Sequence, residues 1–484
     1  MRVLQRILPF KIEVTSTKIR ACARAGLPLV LEGLRAIVPR STYRRLARAL
    51  GYRGWKVVRR HLESLVLLIA DGGDCIADLE QLRADGGLRR LIGFKISSPT
   101  QGKEFLYAFH QTENGRRLSD EDDRQLSVVG QANIRPEGPG LVLLAEFVGN
   151  IVRQVQAHAQ QLRATLDVDA TIIEAFKAAA LRAYEGTVGY QPQMAWWAEQ
   201  GVWVLDEFRD GNVPAAFRVK DFIVRAFAAL PGSVRQRRLR GDSALYDENA
   251  LSWLAEQKIE FAVSADMSKA LLGAVKKIPE SKWQPYRSLK DGPAGEEREW
   301  AEVDDFVPGW RRNRCKSGTP LRYIAIRVRG RQRDLLAEDG DRWRHFAVVT
   351  NMDWAGERLL RWQREKQGTV EHAHGVLKGE LAGGTLPCGR YGSNAAWWRI
   401  NVLVHNLLQL IKVKALPRSM ASLRPKALRY RLLHVAGLVF LHARQVKLRL
   451  TEGHPAAEIL QAARIALADL LRPPLDHGEL SERA

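Results

Sequence analysis

Cysteine is scarce in this chain of 484 residues. The four present, Cys22, Cys75, Cys315 and Cys388, lie far apart in sequence, so no CxxC pair offers a zinc or redox site and a reducing compartment fits. Long apolar runs are missing too. The longest near the front, Leu65 to Ala70, falls far short of the roughly 20 residues needed to span a bilayer. Charges and prolines interrupt every apolar stretch of the opening MRVLQRILPFKIEVTSTKIR, which therefore lacks a signal-peptide core. No fixed-period repeat or low-complexity tract occurs. The expectation is a soluble, cytoplasmic protein with no membrane partner.

Acidic residues are outnumbered: 75 Lys and Arg stand against 54 Asp and Glu, a net charge of +21. A surplus of that size favours a polyanionic partner, above all nucleic acid. With 46% hydrophobic residues the chain can build real cores, and its length suggests about two to four domains. The surplus is concentrated at the front, where residues 1–60 hold fifteen basic residues against Glu13 and Glu32. Ser41 or Thr42 can cap a helix from Tyr43 to Leu50. A turn at Gly51-Tyr52-Arg53-Gly54 follows, then a helix from Trp55 to about Ala70. Two helices across a glycine-rich turn read as a DNA-binding arrangement, with Arg44, Arg45, Arg53, Lys56, Arg59 and Arg60 as candidate DNA contacts.

From about residue 163 the apolar period changes from helical to alternating. Thr165, Asp167, Asp169 and Thr171 alternate with Leu166, Val168, Ala170 and Ile172, the pattern of a two-faced strand. Strand-like runs Gly189 to Glu199 and Gly201 to Phe208 follow as a meander. After them come a helix over Ala215 to Leu230, a basic strand ending at Leu239-Arg240-Gly241-Asp242, a helix after Asp247 and a strand from Ile259 to Ser264. The order predicts an α/β (α+β) sheet with three leading antiparallel strands and later helical crossovers. Trp300 to Val307, Leu321 to Arg329 and His345 to Asn351 read as a β-rich insertion. Helices resume at Thr369 to Leu381, Ser393 to Val413, Ser422 to Leu450 and His454 to Leu471. The expected domains are 1–130 (helical, DNA-binding), 160–265 (core, first part), 266–355 (insertion), 356–450 (core, second part) and 451–484 (helical tail).

Three carboxylates stand where chemistry is expected. Asp169 lies in the first strand, Asp242 at the C-terminal end of the fourth, and Glu371 on the first helix after the insertion. Ligands of open α/β sheets gather at the carboxyl ends of the strands. Three converging carboxylates make a hard-oxygen site suited to Mg²⁺, and a pair of such ions, with Mn²⁺ as a substitute, can drive in-line phosphoryl transfer. His372 and His374, two apart on a helix, diverge and are poor metal partners. Trp300, Trp310, Trp343 and Trp354 fit the core of a β-rich region, or stacking on a base.

These residues sit in longer motifs: Ala25-Gly26-Leu27-Pro28-Leu29, Gly72-Gly73-Asp74 through Asp78 to Arg83, LDVDAT at 166–171, GYQP at 189–192, FRDGNVPA at 208–215, RGDSALY at 240–246, QGTVE at 367–371 and RYGSNAAWWRINVLVHNL at 390–407. Together they resemble the DDE transposases of bacterial insertion sequences, specifically the insertion-sequence 1380 group of the cut-and-paste superfamily. The resemblance covers nearly the whole chain. It implies a ribonuclease H-like core interrupted by the β-rich insertion, flanked by an all-helical basic N-terminal domain and C-terminal helices. It also implies a catalytic and metal-binding triad of Asp169, Asp242 and Glu371. Asp167 competes for the first position because it shares a face with Asp169, but Asp169-Ala170-Thr171 matches the family's Asp-small-Thr signature.

The family's glutamate helix carries Tyr, Arg, Glu and Lys at −7, −4, 0 and +7. Lys378 matches at +7 and should reach a DNA phosphate. At −7 stands Arg364 and at −4 Gln367, and a neutral amide does not replace a bidentate guanidinium, so Lys366 or Arg364 would have to compensate. The implied activity is Mg²⁺-dependent cleavage of terminal inverted repeats and strand transfer into target DNA. It would be carried out by a homodimer on double-stranded DNA in the bacterial cytoplasm, at the nucleoid when bound. Two other readings use the same residues: an impaired or domesticated transposase that binds DNA without cutting it, and a nuclease that cuts without rejoining.

Overall fold

The computed structural model describes residues 20–126, 131–177, 180–286, 297–304, 306–312, 321–329 and 343–471. Cys315, the opening residues 1–19 and the last part of the expected tail lie outside them. A short strand, β1 (Arg20–Cys22), leads into α1 (Pro28–Ile37), α2 (Arg40–Ala49) and α3 (Trp55–Asp71). Gly51 at φ +74 makes the turn between α2 and α3, and Gly72 at φ +101 ends α3, both left-handed positions that suit glycine. Leu62, Leu65, Val66 and Ile69 bury one face of α3 completely. Next come α4 (Leu79–Ala84), α5 (Gly86–Ile92), α6 (Pro99–Tyr107), α7 (Asp120–Leu126) and the long α8 (Pro139–His158).

The alternating segment forms β2 (Arg163–Ala170). The run expected as one strand from Gly189 to Glu199 splits in two, because Pro192 lacks the N–H that a central strand must donate. Before the proline, β3 (Ile173–Glu174), β4 (Leu181–Arg182) and β5 (Val188–Tyr190) build a small sheet in the order β3-β5-β4; after it, β6 (Gln193–Trp197) pairs antiparallel with β2 and with β7 (Val202–Glu207). Helix α9 (Val219–Ala228), strand β8 (Gln236–Gly241), helix α10 (Glu248–Glu256) and strand β9 (Glu260–Ala265) supply the crossovers, with β2, β8 and β9 parallel neighbours. The antiparallel meander and parallel remainder match the sequence order.

After α11 (Lys269–Lys276), the stretch read as an insertion supplies β10 (Gln284–Pro285), β11 (Glu297–Glu302), α12 (Gly309–Arg312), β12 (Arg322–Arg329) and β13 (Arg344–Thr350). These strands do not form a sheet of their own. β13 pairs antiparallel with β9, giving one mixed nine-stranded sheet in the order β10-β11-β12-β13-β9-β8-β2-β6-β7 among the described residues. Trp300, Trp354 and Trp362 pack against a satellite core of Ile324, Ile326, Val348, Leu359 and Leu360.

Helices α13 (Gly356–Arg364), α14 (Lys366–Gly379) and α15 (Tyr391–Ala415) follow, then the short α16 (Pro425–Leu428). The helix expected from Ser422 to Leu450 survives only as α16 and the helical turn Arg429–Leu433; its second half is a hairpin, β14 (Gly437–His442) and β15 (Gln445–Arg449), before α17 (Ala456–Ala468). Its turn places Ala443 and Arg444 at φ +45 and +64, the conformation of a tight hairpin turn. β14 also pairs with β1, Arg20 opposite Val439. The front of the chain is therefore not all-helical as expected, because its strand depends on a partner from the far end.

A buried ionic cluster locks α8, the sheet and α15 together. Arg399 of α15, almost fully buried, donates to Asp206 of β7 at 3.0 Å and to Glu137, just before α8, at 2.6 and 2.8 Å. Removing one member of a buried pair leaves an uncompensated charge and costs about 3–5 kcal/mol. Arg399→Met should therefore lower the urea midpoint by a stability loss of about that size, whereas the exposed Arg218→Met should shift it by less than about 0.5 kcal/mol.

Candidate active site

Period-2 geometry puts Asp167 and Asp169 on one face of β2, and their environments separate them. Asp167 is fully buried and pairs with Arg240 of β8 through both carboxylate oxygens, at 2.6 and 2.9 Å. Arg240 lies directly opposite it in the register. The same guanidinium donates to the Trp362 carbonyl at 2.8 Å and to Glu365 at 3.0 Å. The Thr369 hydroxyl, one turn into α14, donates to Asp167. Asp167 is thus consumed by a structural pair that joins β2, β8 and the α13–α14 junction.

Asp169, two residues nearer the C-terminal end of β2, receives no such partner. Burial pushes its carboxyl up to about 6; the neighbouring charges of Asp242 and Glu371 push the same way, and only the Lys366 ammonium opposes them. Lys366, at the start of α14 and buried, places Nζ 3.5 Å from Asp169 and 3.8 Å from Asp242. Asp242 follows directly on β8 and caps the short turn after it by accepting from Ala244 N–H at 3.1 Å. Glu371, on the first turns of α14, is exposed. The carboxyl ends of β2 and β8 therefore bring Asp169 and Asp242 to one buried ammonium, with Glu371 on the adjoining α14 near enough for its charge to act on Asp169.

The other residues expected at the site take varied positions. Lys378, half-buried, lies 3.5 Å from the Ile172 carbonyl just beyond β2; burial lowers its ammonium while Asp169 and Glu185 favour its charge. Arg364 holds its guanidinium over the Tyr286 ring, 5.7 Å from the centroid. In the N-terminal region Arg44 of α2, Arg53 in the turn and Lys56 of α3 are exposed. Arg45 makes a bidentate pair with Glu146 at 2.7 and 2.8 Å. Arg59 stacks over Trp55 and reaches Glu63, and Arg60 is half-buried. His374 is buried against Trp203, 4.9 Å between ring centroids, while His372 is exposed.

Sequence reasoning missed Arg240 and Thr369 as the supports of the site, and the place of Lys366 between two acids. One signal was present: an arginine inside a core strand requires a carboxylate on a neighbouring strand, and Asp167 of β2 supplies it. The three acids are an open set, not a tight cage. Among the described residues, the group of His, Cys, Asp and Glu ligand atoms all within 4.8 Å of one another is Asp74, Cys75 and Asp78, where the Asp78 carboxylate already accepts from the Asp74 and Cys75 backbone. A cleft of about 530 Å³ opens at the other end of β2, between Arg163, Arg238, Trp354 and Trp362, but Glu199, Glu357 and Glu365 also line it.

The family comparison is decisive once this geometry is in view. The family model described as transposase DDE domain, group 1, matches residues 53–471. The chain belongs to this DDE transposase family. No curated protein matches it. Among solved structures it is similar to the cryo-EM structure of a piggyBac transposase synaptic complex with hairpin DNA, over 95% of this chain and 89% of that one, at a TM-score of 0.49 and 10% identity.

The two aspartates of β2 should respond oppositely to neutralisation. Asp167→Asn breaks a buried pair and should cost about 3–5 kcal/mol. Asp169 has a raised carboxyl, so the folded state holds its proton more tightly than the unfolded chain does. The resulting penalty is absent below the usual carboxylate pKa and fully present above about 6, where ionised Asp169 opposes folding. Asp169→Asn should therefore leave stability at pH 7.5, measured by urea unfolding without divalent metal, unchanged or higher. A loss as large as that of Asp167→Asn would contradict the division of roles.

Proposed function

We propose that the chain is the transposase of a bacterial insertion sequence of the 1380 group, cutting at terminal inverted repeats and joining the ends to target DNA. The observation that carries this reading is the meeting of Asp169 and Asp242 at the carboxyl ends of β2 and β8, with Glu371 on the adjoining α14, in a chain of the DDE family. In this reading the core is ribonuclease H-like, spanning 160–265 and 356–450 around the 266–355 region, with DNA binding by 1–130 and a tail at 451–484. The site is a homodimer's, assembled on double-stranded DNA in the cytoplasm and at the nucleoid.

DDE domains generally use divalent metal ions, and the donor set here fits them. Asp169 and Asp242 share one ammonium, and burial, with like charge from Asp242 and Glu371, holds the Asp169 carboxyl up, so a cation there would favour its ionised form. Asp169, Asp242 and Glu371 would hold two Mg²⁺, with Mn²⁺ as a substitute. Bound, these supply an activated water or 3′-hydroxyl and stabilise the leaving oxygen. The chain's own residues bind and orient. Lys378 and Arg364 take DNA phosphates beside the acids, Lys366 balances charge between Asp169 and Asp242, and Arg44, Arg53 and Lys56 track the duplex away from the cut, with Arg45, Arg59 and Arg60 alongside.

One observation favours a second reading, a catalytically impaired or domesticated DNA-binding protein: Gln367 stands exposed at −4 of Glu371, where the family carries arginine. Labelled DNA with the element's native ends, incubated with target plasmid and Mg²⁺ or EDTA, separates the two. The transposase reading expects nicked ends and joined products with Mg²⁺ alone. Asp242→Asn should lose both by at least about 10²-fold, the scale on which removal of one essential charge-stabilising group acts, while end binding stays within about twofold. Binding without any cutting supports the second reading. Affinity should fall by roughly 10³–10⁵ between 50 and 200 mM salt if about six to ten phosphates are contacted; a flat response argues against the basic helices as the binding surface.

A further inference from the structure

The two aspartates of β2 meet their cations in different ways. Arg240 grips Asp167 through both oxygens at 2.6 and 2.9 Å, from a guanidinium whose three nitrogens all have partners. Lys366, the first residue of α14, places its ammonium between Asp169 and Asp242 but only at 3.5 and 3.8 Å, beyond the roughly 2.7–2.9 Å of a tight charge-assisted bond. It is shared by both acids and clamped by neither. Its main chain is fixed in comparison: the Lys366 carbonyl accepts from the Thr369 hydroxyl at 3.2 Å, and the same hydroxyl reaches Asp167. A stationary backbone thus carries a charged head on a flexible four-carbon stem. The side of the pair open to water is that of Asp242, whose side chain is 49% exposed against 15% for Asp169.

That ammonium stands where an ion shared by Asp169 and Asp242 has to come. Mg²⁺ takes carboxylate oxygens at about 2.0–2.1 Å. An ion drawn to these two acids would meet Nζ at a range where repulsion between cations in a part-buried site exceeds thermal energy several-fold. Ammonium and ion therefore exclude each other.

We propose that Lys366 is a displaceable counter-ion: it occupies the Asp169–Asp242 pair in the DNA-free chain, weakens the binding of divalent ions there, and yields the pair by swinging outward past Asp242 to a phosphate of bound DNA. The inference rests on the metal-dependent reading of the site and adds an order of events to it. The acids become available to ions when DNA offers the ammonium another anion. Ions and DNA then strengthen each other's binding through this one side chain, as reciprocity requires. A lysine that served only as a brace would hold the acids in place for the ion, and its removal would weaken ion binding.

The full-length chain, free of DNA, is titrated with Mn²⁺ at pH 8.0, and bound ion is read from the loss of the free-ion electron paramagnetic resonance signal. Lys366→Met should bind Mn²⁺ more tightly by about 10- to 10³-fold, the upper end being the effect of one unit charge at about 4 Å and an effective dielectric near 20. Lys366→Gln should shift the same way, so the test does not depend on one variant. Lys269→Met, at an exposed lysine of α11, should stay within about threefold, and Asp169→Asn added to Lys366→Met should erase the gain. At one fixed Mn²⁺ concentration the ion should raise the urea midpoint of Lys366→Met by more than that of the wild type. Duplex carrying the element's end should raise the ion affinity of the wild type more than that of Lys366→Met; an equal gain would overturn the exchange with DNA. Affinity unchanged or weaker in both neutral variants would overturn the inference, while binding by the wild type keeps the metal reading. No Mn²⁺ binding by any of these chains, with or without end DNA, would overturn both.

Discussion

The pair between Arg240 and Asp167 is the contact on which the site depends. It is a charge pair in a dry interior, where desolvation is compensated only if the remaining donors and acceptors are also satisfied. Here they are: both carboxylate oxygens meet the guanidinium, the third guanidinium nitrogen takes Trp362 and Glu365, and Thr369 adds its hydroxyl. Three of those groups, Asp167, Arg240 and Thr369, each stand two residues before a catalytic candidate. β2 bears Asp169 two residues on from Asp167, β8 runs into Asp242 two residues after Arg240, and α14 presents Glu371 two residues after Thr369. One buried knot therefore sets the spacing of three acids from three separate parts of the chain, and it does so with neutralised charge, leaving Asp169 as the ionisable group under strain.

That strain has a direction. Burial and two like charges raise the Asp169 carboxyl while one ammonium, Lys366, opposes them. Asp169 is held in a place where its charge is unfavourable in the absence of added positive charge, a pattern typical of functional sites. Lys366 emerges as the internal counter-charge, buried and shared by Asp169 and Asp242. The departure at Gln367 looks different in this setting: the positive charge nearest the acids comes from the residue beside it, from inside the protein.

Much of the core could be read from sequence because its signals are local. The alternation of Thr165 to Ile172, the parallel β8 and β9 with their crossover helices, and the buried stripe of α15 all follow from periodicity, and Asp169, Asp242 and Glu371 sat in motifs long enough to stand out. The misses share one cause: strands defined by distant partners. β1 exists because β14 lies beside it, and β14 and β15 carry an alternation that a helix-biased window from Ser422 to Leu450 smooths over until the two left-handed residues at 443 and 444 reverse the chain. The joining of β13 to β9 is a long-range pairing of the same kind.

Several glycines in the motifs have a mechanical explanation that their spacing alone does not reveal. Gly26 packs where any side chain would strike the Leu432 carbonyl, and Gly189 and Gly211 do the same beneath the β4–β5 hairpin. In each case backbone meets backbone, so relief would require moving a strand and not merely a side-chain rotamer. The first close approach fastens the front helices to the segment ahead of the C-terminal hairpin. Gly189 packs β5 directly on β3, and Gly211 fastens the small sheet to the residues between β7 and α9. The motifs GYQP and FRDGNVPA, separate in sequence, are thus two halves of one joint, and what that joint holds steady is the β4–β5 hairpin.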